Sequence, residues 1–411
     1  MGGGLLQLVA IGAQDAFLTG NPQITFFKTV YRRHTNFAME SIEQTFDGTP
    51  AYGAKVSVSV AKSGDLISRM YIEHNPILNG ATTSYDHYGH NILKEMELQI
   101  NGNRVDRQYS QWLQVWNELS NADYKMRDSS GGVSDNVAAD EDAIRYSPEG
   151  YMRMVGDHAL VSTSTERRLY IPLQFWFCRN PGLALPLIAL QHHEVKVLIE
   201  FQSAANSGSS SHTFGGASLW IDYIFIDTDE RQKFAQKSHE YLIEQVQFTG
   251  SESVTAITAQ KIDLNFNHPV KELIWVVAAD ITTNNMKFLN LSGSTGAKAD
   301  ACSGTGTTAG TCKVKVQLNG TDRFAERKMT YFTRVQPYQH HTNMPIGDRI
   351  GIYSFALSPE EHQPSGTCNF SRIDDIELHI TPAQTGQLYV FATNYNVLRI
   401  HSGMGAIAFG N

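Results

Sequence analysis

Several histidines lie close enough in the sequence to raise the question of a metal site. His87 and His90 are three residues apart, with Asp86 and His74 nearby. Imidazole and carboxylate groups are common zinc ligands, but this spacing fits neither one helix face nor a zinc-finger knuckle. The adjacent pair His192-His193 would point to opposite faces of a strand. We therefore interpret these histidines as parts of polar loops and strands, with no bound metal.

The carboxylates are the next groups that could do chemistry. Glycosidases need two carboxyl groups facing each other about 5–10 Å apart. Asp374-Asp375 and Asp140-Glu141-Asp142 are chain neighbours whose side chains do not converge on one site, so we interpret them as solvated turn charges. The sequence also lacks a GxSxG motif, a phosphate-binding glycine loop and the His-x-His pair of the cupins. It predicts no catalytic residue, metal or cofactor.

Composition narrows the remaining classes of protein. The chain has 411 residues and a formal net charge of −8, which argues against a general nucleic-acid binder. No secretory signal and no apolar stretch of about 20 residues is visible. Four scattered cysteines without a CxxC pair fit a reducing compartment. A bridge between Cys302 and Cys312 across a loop stays an open alternative.

Alternation of apolar and polar residues predicts strands along most of the chain. Val195, Val197, Ile199 and Phe201 share one face, and several other segments repeat this period of two. The stretches 219–226 and 388–397 are apolar on both faces and are predicted to be central strands. Four long loops are predicted at 75–91, 122–167, 203–217 and 282–311.

Helical periodicity is sparse. Trp112, Val115, Trp116 and Leu119 recur at helical spacing and predict one amphipathic helix over 109–122. A weaker helix is predicted after Phe324. A short charged helix over 229–237 is predicted to be a connector.

The chain repeats its own pattern. Leu98-Gln99-Ile100-Asn101-Gly102 precedes the first helix, and Val316-Gln317-Leu318-Asn319-Gly320 precedes the second. Asn-Gly favours a tight turn because both residues tolerate positive φ. In each half, an aromatic strand (175–177, then 353–355), an alternating strand and a long apolar strand follow in the same order.

This repeat predicts an all-β protein of two consecutive eight-stranded antiparallel jelly rolls with short helices in loops. The predicted divisions are an amino-terminal arm at 1–23, a first jelly roll at 24–227, a connector at 228–238, a second jelly roll at 239–400 and a carboxy-terminal tail at 401–411. Jelly rolls occur in capsids, lectins and cupins.

Several long motifs resemble one family. The chain is similar to the major capsid proteins of the nucleocytoplasmic large DNA viruses, especially those that infect algae, over nearly its whole length. The motifs that carry the resemblance are Met1-Gly2-Gly3-Gly4, Gly12-Ala13-Gln14-Asp15, Leu18-Thr19-Gly20-Asn21-Pro22-Gln23, Pro181-Gly182-Leu183-Ala184-Leu185-Pro186, Gln363-Pro364-Ser365-Gly366 and Asn396-Val397-Leu398-Arg399-Ile400.

The resemblance implies a structural protein without catalytic activity. It implies a homotrimer that forms a nearly six-fold capsomer, tiles the icosahedral shell with neighbouring capsomers and does not bind nucleic acid directly. It places the protein in the virion, after assembly in the host cytoplasm. The loops of one end would face outward, and the amino-terminal arm would face minor capsid proteins and an internal membrane.

The segment 24–33 is the candidate for inward docking. On a helix, Ile24, Phe27 and Tyr31 would share one face, and Lys28, Arg32 and Arg33 would add positive charge. Three interpretations stay open: docking to a neighbouring or minor capsid protein, contact with a lipid surface, or a plain strap under the first sandwich.

Three Asn-x-Ser/Thr triplets are glycosylation candidates, at Asn290, Asn319 and Asn369. Asn290 enters a long loop and is the best placed, whereas Asn319 lies in a tight turn and Asn369 near a strand. The alternative function is a carbohydrate-binding jelly-roll surface protein. Trimers and hexagonal arrays would favour the capsid subunit, and a sugar-dependent monomer would favour the alternative.

Overall fold

The chain forms two compact units, Met1–Asn36 and Phe37–Asn411. The computed structural model describes residues 3–78, 88–120, 151–156, 168–204, 212–278, 312–345, 350–383 and 385–410, and every structural statement below concerns these residues. The first unit carries two short helices, α1 (Gly3–Val9) and α2 (Ala16–Thr19), in which no residue is buried. The second unit holds all the strands.

Two antiparallel sheets form the first sandwich. Its strands are β1 (Phe37–Gln44), β2 (Lys55–Ser59), β3 (Leu66–Leu78), β4 (Leu93–Ile100), β5 (Asn103–Tyr109), β6 (Leu169–Pro172), β7 (Leu185–Pro186), β8 (Val195–Phe201) and β9 (His212–Ile226). Sheet A has the order β1-β9-β3-β6, with β7 beside β3, and sheet B has the order β2-β8-β4-β5.

The second sandwich repeats the strand order of the first and has two additional strands, β15 and β20. Its strands are β10 (His239–Val254), β11 (Gln260–Asp263), β12 (Pro269–Ala278), β13 (Lys313–Leu318), β14 (Thr321–Asp322), β15 (Arg327–Lys328), β16 (Ile350–Ser354), β17 (Cys368–Asn369), β18 (Ile376–Thr381), β19 (Gly386–His401) and β20 (Met404–Ile407). Sheet C has the order β10-β19-β12-β16, and sheet D has the order β11-β18-β13-β14. The predicted fold class, two consecutive antiparallel jelly rolls, is confirmed.

The two Asn-Gly pairs form matching turns. Asn101 and Gly102 have φ values of 52° and 77°, and Asn319 and Gly320 have values of 49° and 73°. Positive φ at both central residues is the geometry of a type I′ turn, whose twist suits a two-residue hairpin. The turns join β4 to β5 and β13 to β14, so the repeated sequence motif marks equivalent places in the two sandwiches.

Most helices lie between strands. They are α3 (Tyr88–Ile92), α4 (Ser110–Ser120), α5 (Tyr151–Val155), α6 (Trp176–Arg179), α7 (Thr228–Gln236) and α8 (Gln336–His340), the last preceded by a π-helical turn over Tyr331–Val335. The helices predicted at 109–122, after Phe324 and at 229–237 therefore form, within a few residues of the predicted bounds.

Two predictions about local structure are wrong. The aromatic run 175–177 was predicted to be a strand, but Trp176 begins helix α6. All three aromatic side chains are buried, and a short run of buried residues has no period that separates strand from helix. The predicted loops at 75–91 and 203–217 are shorter than expected, because β3 extends to Leu78 and β9 begins at His212.

The strand pattern explains the two cores. Along β8, Val195, Val197, Ile199 and Phe201 are each at most 1% exposed, while the residues between them are half-buried. Their apolar faces meet those of the opposite sheet in the first core. Burying side chains of this size contributes about 1.5–3 kcal/mol each. An equivalent core fills the second sandwich.

Candidate functional site

Helix α4 joins the two sandwiches. It follows β5 of the first sandwich, yet its apolar residues form one cluster with the outer face of sheet C in the second. Trp112 is fully buried there, with its ring centroid 5.6 Å from that of Phe391. Asn343 of the second sandwich donates from its side chain to the carbonyl of Glu118, 2.9 Å away. The helix predicted from sequence is thus an element of the junction.

The carboxy-terminal residues also contact the first sandwich. The backbone N–H of His192 donates to the carbonyl of Gly403 at 3.0 Å, and His193 Nδ1 lies 3.0 Å from the carbonyl oxygen of Gly405. Strand β20 follows at this point and pairs with β19. His192 and His193 lie just before β8 rather than in a strand, so they belong to the junction.

A carboxyl group at the junction is fully enclosed. Asp106 accepts a hydrogen bond of 3.2 Å from the backbone N–H of Val246 in β10, and a second of 3.1 Å from Gln108. Burial raises the pKa of Asp106 to about 6, although both hydrogen bonds act in the opposite direction. The hydrogen bond from Val246 therefore connects the backbone of β10 to the side chain of Asp106 in β5.

Glu244 is the centre of a buried ion-pair network. Its carboxylate lies 2.9 Å from Lys271 Nζ and 3.2 Å from Arg179. Burial alone would raise the pKa of Glu244, but His362, Lys271 and Arg179 outweigh this effect and lower it to about 2. The Arg179 guanidinium lies 4.0 Å from the ring centroid of Trp116, so the network reaches from the second sandwich to helix α4.

A second buried ion pair involves Glu272, the residue that follows Lys271 in β12. His341 Nε2 is 3.0 Å from Glu272, and its Nδ1 is 2.9 Å from Glu360. Burial alone would lower the pKa of His341, but the two carboxylates raise it to about 9. The imidazole is therefore a cation at neutral pH, and it neutralises a glutamate that has no access to water.

The histidines considered as metal ligands are hydrogen-bonded core residues. His74 Nδ1 lies 3.0 Å from the carbonyl of Gly216, and its Nε2 lies 3.2 Å from the hydroxyl of Tyr88. His90 contacts Gln114 and Tyr151 at 2.7 and 2.9 Å. Burial lowers the pKa of His74 to about 4. The interpretation as a polar loop is wrong for His74 and His90, and Asp86 and His87 lie outside the described residues.

Asp263, Asp375 and Glu377 come close enough together to share a metal ion. Lys261 already occupies this position, since its amine forms ion pairs with Glu377 and with Asp263, the latter at 3.7 Å. The lysine lowers the pKa of Glu377. The backbone N–H of Asp375 donates to the side chain of Asn319 at 3.0 Å. Because of these contacts, we interpret the three acidic residues as part of a hydrogen-bonded turn.

The amino-terminal docking candidates are exposed but do not form a helix. Residues 24–33 contain one turn at 26–28 and otherwise irregular backbone. Ile24, Phe27 and Tyr31 are 72%, 98% and 85% exposed. The predicted helical face is therefore wrong for this structure. An isolated segment of about ten residues lacks the packing that stabilises a helix.

The docking residues predicted from sequence leave out further apolar residues of the same unit. These are also exposed, and they are Leu5, Leu6, Leu8, Val9, Ile11, Phe17, Leu18, Phe26 and Val30. The signal available in the sequence was the high frequency of apolar residues in a segment without a clear helical or strand period. No helix in the described part of the chain is long and apolar enough to cross a membrane.

The glycosylation candidates differ in their surroundings. Asn319 and Asn369 are both exposed. The Asn319 side-chain oxygen accepts from Asp374 and Asp375, and that of Asn369 accepts from the backbone N–H of Ser371 at 3.1 Å. Asn290 lies outside the described residues.

The described cysteines are of two kinds. Cys178 and Cys368 are free, as expected for a reducing compartment. Cys312 is disulfide-bonded, which agrees with the alternative of a bridge that was left open for this cysteine. Cys302 lies outside the described residues.

These features define a class of protein: a double jelly roll, the architecture of viral capsid subunits, whose buried charged groups hold its two halves together. The chain belongs to the major capsid proteins of large eukaryotic DNA viruses. Residues 230–406 match the family described as "large eukaryotic DNA virus major capsid protein", and residues 25–227 match "major capsid protein N-terminus". The predicted family and the absence of an enzymatic role agree with this assignment.

Relatives support the family over the full length. The major capsid protein of Pyramimonas orientalis virus is 46% identical, and that of Paramecium bursaria Chlorella virus 1 is 44% identical, each with both chains covered completely. Among solved structures, PBCV-1 VP54 is 35% identical with a TM-score of 0.74, covering 94% of this chain and 100% of that one. The Faustovirus major capsid protein, 13% identical with a TM-score of 0.69, shares the fold.

Proposed function

We propose that this major capsid protein assembles as a homotrimer that forms a pseudo-hexagonal capsomer of an icosahedral shell. The observation that carries the proposal is the duplication: sheets A and B repeat in sheets C and D with the same strand order. Three copies of a chain with two similar sandwiches present six similar units around a three-fold axis. Such capsomers tile a hexagonal lattice with their neighbours.

The buried junction between the two sandwiches supports this proposal. Helix α4, the ion pair between Arg179 and Glu244, and the hydrogen bond from Val246 to Asp106 join the two sandwiches through buried contacts. A fixed angle between the two halves is what a closed ring requires, since each copy must present its surfaces in one orientation. A ring of this kind needs two different complementary patches on each chain.

The amino-terminal unit is proposed to dock inward. Its exposed apolar residues, together with Lys28, Arg32 and Arg33, suit contact with a minor capsid protein or a neighbouring copy, and the same charges suit an internal membrane surface. Protein docking is favoured because aromatic and arginine residues are enriched at protein interfaces. Asn290, Asn319 and Asn369 are the proposed sites for glycans.

Light scattering after size-exclusion chromatography, followed by electron microscopy, tests the trimer. The expected mass is three times the chain mass of 45.7 kDa, and concentrated trimers are expected to form hexagonal arrays. We also propose assembly in the host cytoplasm, which labelling of newly made capsid protein in infected cells would test. A monomer that binds sugar would contradict the capsomer and favour a surface lectin.

A further inference from the structure

The two Asn-Gly turns form a matched pair within one chain. Both asparagines are exposed, both have positive φ, and each is followed by a glycine with open space around it. The backbone N–H of Asn101 donates to the carbonyl of Glu194 at 2.8 Å, and that of Asn319 donates to the carbonyl of Asp375 at the same distance. The two turns therefore agree in backbone geometry, in exposure and in how the asparagine backbone is held.

The asparagine side chains differ. The side-chain oxygen of Asn319 accepts from the backbone N–H of Asp374 at 3.1 Å and from that of Asp375 at 3.0 Å. The side chain of Asn101 forms no hydrogen bond with another residue in the described part of the chain. An exposed side chain without such bonds rotates among several staggered positions, whereas two hydrogen bonds hold one of them. The Asn101 amide is therefore free to turn, and the Asn319 amide is held.

An asparagine followed by glycine can lose its side-chain amide without an enzyme. The backbone nitrogen of the glycine, after giving up its proton, attacks the Cγ carbon of the asparagine. The new C–N bond closes a five-membered succinimide ring, and the side-chain nitrogen leaves as ammonia. Water then opens the ring at one of its two carbonyl groups. The product is aspartate, or isoaspartate, in which the backbone runs through the former side chain.

The glycine nitrogen is available in both turns. Neither the N–H of Gly102 nor that of Gly320 donates a hydrogen bond to another described residue. The remaining requirement is that the asparagine side chain rotates until its Cγ meets this nitrogen, because bond formation needs the two atoms close and aligned. Since the two turns share one backbone conformation, that conformation affects both reactions alike. The side-chain hydrogen bonds are left as the difference.

We propose that Asn101-Gly102 is a site of spontaneous deamidation in the folded protein, and that Asn319-Gly320 is protected by the two hydrogen bonds to its side chain. The Asn319 amide must break these bonds before it can react. Two hydrogen bonds of ordinary strength correspond to a reaction that is slower by about tenfold or more. The same dipeptide thus has a short chemical lifetime in the first sandwich and a long one in the second.

Deamidation at the first turn acts on the junction between the sandwiches. Strand β5 begins at Asn103, directly after the turn. The same strand carries Asp106, which accepts from the backbone N–H of Val246, and Val105, whose carbonyl accepts from Gln245. Isoaspartate adds one carbon atom to the backbone of a two-residue turn, so the type I′ geometry that sets the hairpin register is lost. Ageing of this turn therefore weakens contacts that connect β5 to β10.

The first test compares the two turns within one sample. The protein is produced in a host that attaches no glycan to asparagine, because a glycan on Asn319 would occupy the nitrogen that must leave. It is then incubated at mildly alkaline pH, which speeds removal of the glycine proton. Peptide mapping by mass spectrometry measures aspartate and isoaspartate at each turn. The product at Asn101 is expected to accumulate faster than that at Asn319 by about tenfold or more.

Two controls accompany this measurement. In urea the Asn319 side chain loses its hydrogen bonds, so the rates at the two turns should become similar. The variant Asn101→Gly removes the reactive amide and keeps the turn, since Gly-Gly also suits type I′. Aged wild-type protein is expected to unfold at a lower urea concentration than fresh protein, whereas aged Asn101→Gly should keep its midpoint.

Each part of the inference has a result that would overturn it. Equal rates in the folded protein, or a faster reaction at Asn319, would overturn the protection. An Asn101 that stays intact while the unfolded chain reacts would overturn the site itself. An unchanged urea midpoint after conversion at Asn101 would overturn the link to the junction. None of these results bears on the proposed trimer, which is tested by its mass.

Discussion

Buried charged residues fix the packing of elements within the second sandwich. Glu272 is fully buried, and an ion of its kind is costly to remove from water unless a partner and hydrogen bonds compensate. His341 supplies the charge, and Thr393 donates a hydrogen bond of 3.1 Å. Replacing such a pair with apolar residues can be neutral, but losing one partner leaves an uncompensated charge. These residues therefore specify the orientation of packed elements.

We expect His341→Gln to destabilise the protein by about 3–5 kcal/mol, because it leaves Glu272 buried without a cation. The measurement is the free energy of unfolding in urea at neutral pH. The matched control is His379→Gln, whose side chain is 32% exposed beside Glu377 and should cost at most about 1 kcal/mol. Equal losses in the two variants would contradict the role of burial.

The same histidine predicts a pH dependence. Its folded-state pKa, about 9, lies above its ordinary value of 6.5, so the folded protein binds the proton more tightly. The stabilisation is fully present below about pH 6.5 and is lost as the pH rises through about 9. Urea unfolding across this range should show a fall in stability for the wild type that His341→Gln lacks. Parallel curves would contradict the assignment.

These residues could not be located from sequence, although one signal was present. Lys271 and Glu272 interrupt a strand whose other residues are almost all apolar and buried, and charged residues are rarely buried unless paired. Their partners Glu244 and His341 lie on distant elements. Only the folded chain brings these residues together.

At the scale of elements, the two matching Asn-Gly turns are expected to respond alike to the same substitution. Gly102 and Gly320 both have positive φ, and an added Cβ would meet no atom within 4 Å. Alanine at either position therefore tests backbone strain alone, at an expected cost of about 1–2 kcal/mol. Gly216→Ala is the matched control, open but without positive φ. Urea midpoints should fall for the first two variants only.

The elements that could be predicted are those set by local residues. The Asn-Gly turns need positive φ, and α4 has an apolar stripe over three turns, so both are found where they were expected. The helix that begins at Trp176 could not be predicted, because all of its neighbouring aromatic residues are buried and show no period. The irregular backbone of 24–33 could not be predicted either, because the lack of packing on this segment is visible only in the structure. The helix over 331–340 was located only approximately, since its first turn is π-helical.

At the scale of the whole molecule, the amino-terminal unit should act in the lattice rather than in the trimer. Residues Met1–Asn36 form a compact unit of their own. Replacing Lys28, Arg32 and Arg33 with alanine is therefore expected to leave the trimer mass unchanged and to impair lattice formation. Normal particles or arrays from the triple variant, seen by electron microscopy, would refute the docking role of these charges.

The duplication also determines what the assembled particle should look like. Each chain provides two sandwiches with the same strand order but different outer faces, one covered by α4 and one aromatic. A ring of three chains therefore has true three-fold symmetry and an approximate six-fold outline. Predicting the two surfaces required the register of the sheets, which the sequence alone does not provide.

The most direct test is a cryo-electron microscopy reconstruction of the purified wild-type oligomer. We expect six similar sandwiches around a three-fold axis, two from each chain. Single chains, or an oligomer without a three-fold axis, would contradict the account.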